Sequence, residues 1–230
     1  MRPALLLAAL LIAGCGDDGA LRVSAAASLK AALPEYEPDA RYSFAASDEL
    51  AAQIRAGARP DVFAAANTSL PDKLHADGLV ERPVVFATNR LVIAVPAAGD
   101  GEVRSAADLA RPGVRLAIGS ASVPVGIYTR EVIARLPRSE EILANVRSTE
   151  FDVVGVVGKL TQGAVDAGFV YATDVEGSGG RLRAIELPVD ADVRYAAAVV
   201  RGGDNADAAR AFVEGLPRAR ALAEAGFGPP

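Results

Sequence analysis

From Leu21 onward the chain alternates short apolar runs with amphipathic stretches. That alternation restricts the fold more than any other feature. Strand followed by helix, many times over, buries both only in an α/β architecture with mostly parallel sheets. The apolar runs predict strands over Leu21–Ala27, Ala40–Ala45, Asp61–Ala66, Arg90–Pro96, Arg115–Gly119, Ala167–Thr173, Leu182–Leu187 and Val193–Val200. The amphipathic stretches predict helices over Leu29–Tyr36, Asp48–Ala56, Leu70–Asp77, Gly126–Leu136, Asp152–Gln162 and Ala206–Ala225. Gly57, Gly78 and Gly163 stand where helices should stop, and Pro217 should interrupt the last one. There is no internal repeat and no long linker, and 230 residues suffice for one large domain or two small lobes.

Composition removes several function classes. Hydrophobic residues make up 51%, enough for a substantial core. Basic residues number 24 against 29 acidic ones, so no cationic surplus exists to neutralise a phosphate backbone, and nucleic acid is not an expected partner. A single Cys excludes a disulfide framework and a Cys-based cluster, and a single His, His75, excludes a multi-histidine metal site within the chain. Trp is absent and aromatics are 5%, which leaves no stacking platform for bases or sugars.

The N-terminus reads as an export signal. Met1–Gly14 carries one charge, Arg2, before the apolar run Leu5–Ala13, which is too short to span a membrane. It ends in Ile12-Ala13-Gly14-Cys15, which resembles the bacterial lipobox, with Cys15 as the lipidated residue of the mature chain. The alternative is an ordinary cleaved signal with an incidental Cys. Residues 15–20 then form a short polar tether, and a diacylglycerol on Cys15 would hold the protein on the outer face of the cell membrane or in the periplasm.

In open α/β folds ligands sit where strands end and helices begin. The first such junction is Ala25-Ala26-Ala27-Ser28, the second Ala45-Ala46-Ser47-Asp48, and both serines are placed as helix N-caps. Each also reads as a cap and nothing more. The third, Val123-Pro124-Val125-Gly126, would face a cleft with the free amides of a helix start. The fourth is Phe151-Asp152-Val153, and the fifth is the strand Gly168–Asp174, where Tyr171 offers a hydroxyl. These groups are hydrogen-bond donors without formal charge, and helix N-termini bind anions. A tetrahedral dianion has acceptors only. About six bonds at roughly 1.5–3 kcal/mol each would support micromolar to nanomolar binding, provided the site closes and excludes water.

Taken in order, these junctions resemble the molybdate-binding proteins that feed ABC importers. The resemblance is carried by AAASL (Ala25–Leu29), LAAQI (Leu50–Ile54) after Ser47, ARPDVFAAAN (Ala58–Asn67), NRLVIAVP (Asn89–Pro96), VPVGIY (Val123–Tyr128) and GFVYATD (Gly168–Asp174). It implies a type-2 periplasmic-binding-protein fold: two lobes, residues 21–86 with 200–230 and residues 87–199, around a ligand cleft. It implies oxyanion contacts from the hydroxyls of Ser28, Ser47 and Tyr171 and the amides of Val125 and Val153. It also implies molybdate or tungstate as ligand, no cofactor, no direct metal-cation ligands, an ABC permease as partner, and a monomer that is not an enzyme. The segment between Ser28 and Ser47 is shorter than the family pattern, and Asp152 beside Val153 must point away from a bound anion.

Two other readings stay open. A receptor for another tetrahedral oxyanion, such as sulfate, would need a similar donor set with a smaller cavity. A secreted serine hydrolase would need His75 as base, but His75 falls on an exposed amphipathic stretch and no G-x-S-x-G elbow exists.

Overall fold

A computed structural model describes residues 19–98 and 103–230. The export signal and Cys15 lie outside the described residues. Two five-stranded sheets form the framework. In the first, β1 (Arg22–Ala26) lies parallel to β2 (Arg41–Ala45) and β3 (Val62–Ala65). The strand β10 (Val193–Val199) runs antiparallel between β3 and β4 (Val84–Asn89). The second sheet repeats the plan. There β6 (Leu116–Gly119) is parallel to β7 (Val146–Glu150) and β8 (Ala167–Tyr171). The strand β5 (Leu91–Pro96) is antiparallel to β8 and to β9 (Leu182–Ile185). The result is the expected two-lobed α/β class with mixed sheets.

The first sheet is covered on both faces. Phe63 and Ala65 of β3 and Ala198 of β10 meet Leu50 and Ile54 of α2 (Ser47–Arg55) and Leu74 of α3 (Ser69–Ala76). Val62 and Ala64, one residue out of phase, belong to the larger core, which includes Phe212 and Val213 of α8 (Ala206–Gly215). Burial on both faces is why these strands read as unbroken apolar runs instead of alternating ones.

Asp61, 1% exposed, ties this lobe together. It accepts from the Arg22 N–H at 2.8 Å and the Asn205 N–H at 3.0 Å, joining the starts of β1, β3 and α8. Burial works to raise its pKa, but these bonds and the nearby Arg22 charge hold it below the ordinary carboxylate value.

Several expectations need correction. The chain leaves the first sheet after Asn89 and returns to it at Val193, so residues 87–89 and 193–199 pair in the first sheet, not in the second. The apolar run 193–199 carries no mark of its partners. The expected helix Leu29–Tyr36 is broken: a 3-10 turn spans Ala27–Leu29, and α1 covers only Leu33–Tyr36. Pro34 sits in the first turn of α1, where a missing N–H is harmless. The interruption near Pro217 is present, as a 3-10 turn over Leu216–Arg218 between α8 and α9 (Arg220–Glu224). Among the described residues no helix is long and apolar enough to cross a membrane.

Candidate functional site

The sheets present the ends of their parallel strands to each other, and one small cavity of about 20 Å³ lies between them. All five residues singled out in the sequence line it: Ser28, Ser47, Val125, Val153 and Tyr171. Its one charged lining residue is Asp152, and no Lys or Arg is among them.

Each reaches the cavity for a local reason. Ser28 lies in the 3-10 turn that follows β1, behind the small residues Ala26 and Ala27. Ser47 is the first residue of α2 and is 1% exposed. Neither serine is the N-cap expected of it. Ala46 occupies the cap position of α2 without a side-chain bond, and the Ser47 Oγ instead accepts from the Ala66 N–H at 3.1 Å. That bond leaves the Ser47 hydroxyl proton available to the cavity. The shortened segment before Ser47 has therefore not moved it out of the cavity.

Val125 is the second residue of α4 (Pro124–Ile133), and Val153 opens α6 (Val153–Thr161), which follows the short α5 (Ser139–Ala144). First-turn N–H groups have no intrahelical acceptor, so both helices aim donors and the positive ends of their dipoles at the cavity. The Asp152 carboxylate accepts from the Gly155 N–H at 2.8 Å and so caps its own helix.

Gly126 sets how closely α4 approaches β6. A Cβ there would stand 1.8 Å from the Ser120 carbonyl oxygen and 2.6 Å from that of Gly119. Both are backbone atoms and cannot swing aside. Gly126→Ala should therefore cost about 2 kcal/mol and lower the melting temperature by roughly 4–8 °C. Differential scanning calorimetry checks this, and an unchanged transition would mean the turn yields freely.

Tyr171, at the end of β8, is 1% exposed, and its Oη is buried without a hydrogen-bond partner. Burial, followed by the nearby Tyr195, Tyr128 and Asp174, pushes its pKa well above the usual phenol value, so it remains a donor. Behind it, Asp174 in α7 (Ala172–Glu176) accepts from the Tyr171 N–H at 2.9 Å. Asp174 is raised from 3.8 to about 7, first by burial and then by the Asp152 charge, against the pull of that N–H.

Sequence reasoning missed Tyr195, whose Oη lies 2.9 Å from the Ser28 Oγ. Its only signal was an aromatic inside an apolar strand. His75 is exposed, near the Val80 carbonyl oxygen, and does not line the cavity with either serine, so no hydrolase arrangement forms. Among the described residues no cluster of His, Cys, Asp and Glu could hold a metal cation.

A protein-family model described as bacterial extracellular solute-binding protein matches residues 21–227. The molybdate-binding protein ModA of Mycobacterium tuberculosis (strain H37Rv) is 34% identical, over 98% of this chain and 97% of that protein. The substrate-binding domain of a molybdenum ABC transporter from Clostridium difficile superposes with a TM-score of 0.67 at 28% identity, covering 91% of this chain and 98% of that one. The periplasmic molybdate-binding protein of Azotobacter vinelandii superposes with a TM-score of 0.79 over 91% of this chain and 99% of that one. At 21% identity the last comparison speaks to the fold alone.

Proposed function

The chain belongs to the bacterial extracellular solute-binding proteins, a family of receptors and not of enzymes, and on that premise we propose that it captures molybdate or tungstate between its two lobes. The observation that carries this reading is the buried, unpartnered Tyr171 hydroxyl in a cavity lined by two serines and two helix N-termini. An orphaned buried donor costs on the order of 1–3 kcal/mol, and an acceptor in the cavity recovers it. The donors are neutral, so a ligand with acceptors only and charge of its own complements them best. The cavity, at about 20 Å³, suits a compact ion and not an organic solute.

Ser28, Ser47 and Tyr171 would donate hydroxyl protons, and Val125 and Val153 their amides. The Mycobacterium and Clostridium relatives, named for molybdate and molybdenum, support that choice of ion. Delivery to an ABC permease follows from the same relatives, one of which is named as part of such a transporter. Lipidation of Cys15 would keep the receptor at the outer membrane face beside that permease, acting as a monomer.

Titration calorimetry of the mature protein with molybdate, tungstate, sulfate and phosphate tests the reading. Heat and thermal stabilisation are expected with the first two. Their absence overturns it, and a response confined to sulfate replaces it with a sulfate receptor.

A further inference from the structure

Residues 226–230 cross the place where the two lobes are joined. We propose that this C-terminal tail is a latch that holds the lobes in the closed arrangement and so slows release of the bound ion. The proposal rests on the reading of the chain as a two-lobed receptor and adds a control on its opening.

The sheet order places the tail at the hinge. The strand β4 is an edge of the first sheet, and a single residue, Arg90, separates its end at Asn89 from β5 in the second sheet. The lobes can turn only about this crossing and about the return between β9 and β10. One residue before the crossing, the tail covers the open edge of β4. The Thr88 N–H donates to the Gly228 carbonyl oxygen and the Gly228 N–H to that of Thr88, each at 3.0 Å. The Thr88 hydroxyl donates to the Pro229 carbonyl oxygen at 2.8 Å. Phe227 is buried and meets Tyr195 of β10 edge-on, with ring centroids 5.2 Å apart.

Those partners all belong to the first sheet, but the tail also touches the second lobe. Gly226, at the turn into the tail, has a φ of 85°, and a Cβ there would stand 2.9 Å from the Glu176 Cδ. Glu176 is the last residue of α7, so its carboxylate rests on backbone that only glycine leaves bare. One turn earlier in the same helix, the Thr173 Oγ1 accepts from the Asn89 Nδ2 at 2.9 Å. The helix begins directly after Tyr171. The first lobe therefore grips α7 at both ends, through Asn89 near its start and through the tail at its finish, and the gripped helix follows the strand that carries the Tyr171 donor.

None of the tail residues lines the cavity, so these contacts form with or without an ion. Closure brings Ser28 and Ser47 of one lobe to Val125, Val153 and Tyr171 of the other. Apparent affinity scales with the fraction of empty receptor already in that arrangement. Opening parts Glu176 from Gly226, so the latch raises both the closed fraction and the barrier to release.

Deleting Gly228–Pro230 removes the bridge to Thr88 and leaves Phe227 in place. Stopped-flow measurement is expected to show molybdate leaving about fivefold faster than from wild type, with association little changed. Small-angle scattering of the ligand-free protein should show an increased radius of gyration. Glu176→Ala alters an exposed side chain and should speed release in the same sense, adding little in the shortened chain. It carries the test if the shortened chain folds poorly. A tail that served stability alone would lower the melting temperature and leave release at the wild-type rate. That result, or an unchanged radius of gyration in the empty protein, overturns the latch. If wild type binds neither molybdate nor tungstate, the reading of the ligand falls, and the scattering comparison decides the latch by itself.

Discussion

Tyr171→Phe should weaken molybdate binding by roughly 10- to 100-fold and leave the ligand-free protein at least as stable as wild type. The two halves of this result have one cause. The Tyr171 hydroxyl is buried with no partner, so in the empty protein it is a burden of about 1–3 kcal/mol. With an oxyanion in the cavity it becomes a hydrogen bond to a charged group, for which about 1.5–3 kcal/mol is typical. Phenylalanine keeps the ring and its edge-on packing against Tyr195, 5.9 Å away, and deletes only the hydroxyl. Most substitutions of a buried residue reduce stability, so a gain or a null effect on melting together with a loss of affinity is a distinctive signature. Calorimetric titration and thermal melting read the two halves separately. Unchanged affinity would place the hydroxyl beyond the ligand's reach.

The residues of the cavity were legible because the chemistry of a strand-to-helix junction is local. Small residues, a hydroxyl and a helix start lie within a few positions of one another, as in Ala26-Ala27-Ser28 and Ala46-Ser47. What those hydroxyls bond to was not legible. Ser28 meets Tyr195, 167 residues away, and Ser47 meets the Ala66 amide, 19 residues away, so the local N-cap reading failed at both.

The missed elements have similar explanations. The edge strand β7, Val-Arg-Ser-Thr-Glu, has no strongly apolar face, and its pairing with β6 supplies what its sequence does not advertise. The helix α7 is five residues long, too short for a 3.6-residue period to show. The return of the chain to the first sheet at Val193 depends on antiparallel partners 100 or more positions upstream, and nothing in the run itself encodes which sheet it joins.

Asp174 should make the protein lose stability as pH rises, the reverse of what a well-paired carboxylate does. Its pKa moves from 3.8 to about 7 on folding, because burial, with the Asp152 charge added, disfavours ionisation more than the Tyr171 N–H favours it. Between these two values the folded state binds more protons than the unfolded one, so the stability slope with pH is negative. The contribution is most favourable at pH 4 and below, declines through the interval, and is fully unfavourable above about pH 7. Three units correspond to about 4 kcal/mol as a ceiling, since relaxation around the ionised group reduces it. Carboxylates drawn down by their partners, such as Asp61 and Asp166, act in the opposite sense but below this window.

Asp174→Asn retains an acceptor for the Tyr171 N–H and removes the ionisation. Its melting temperature should therefore fall less between pH 5 and pH 8 than that of wild type, and should exceed wild type at pH 8. A dianion in the adjoining cavity also favours the protonated acid, so molybdate affinity should decline toward pH 8 in wild type and change less in the variant. Equal pH slopes for the two proteins would show that Asp174 is ionised in the folded state across the whole range.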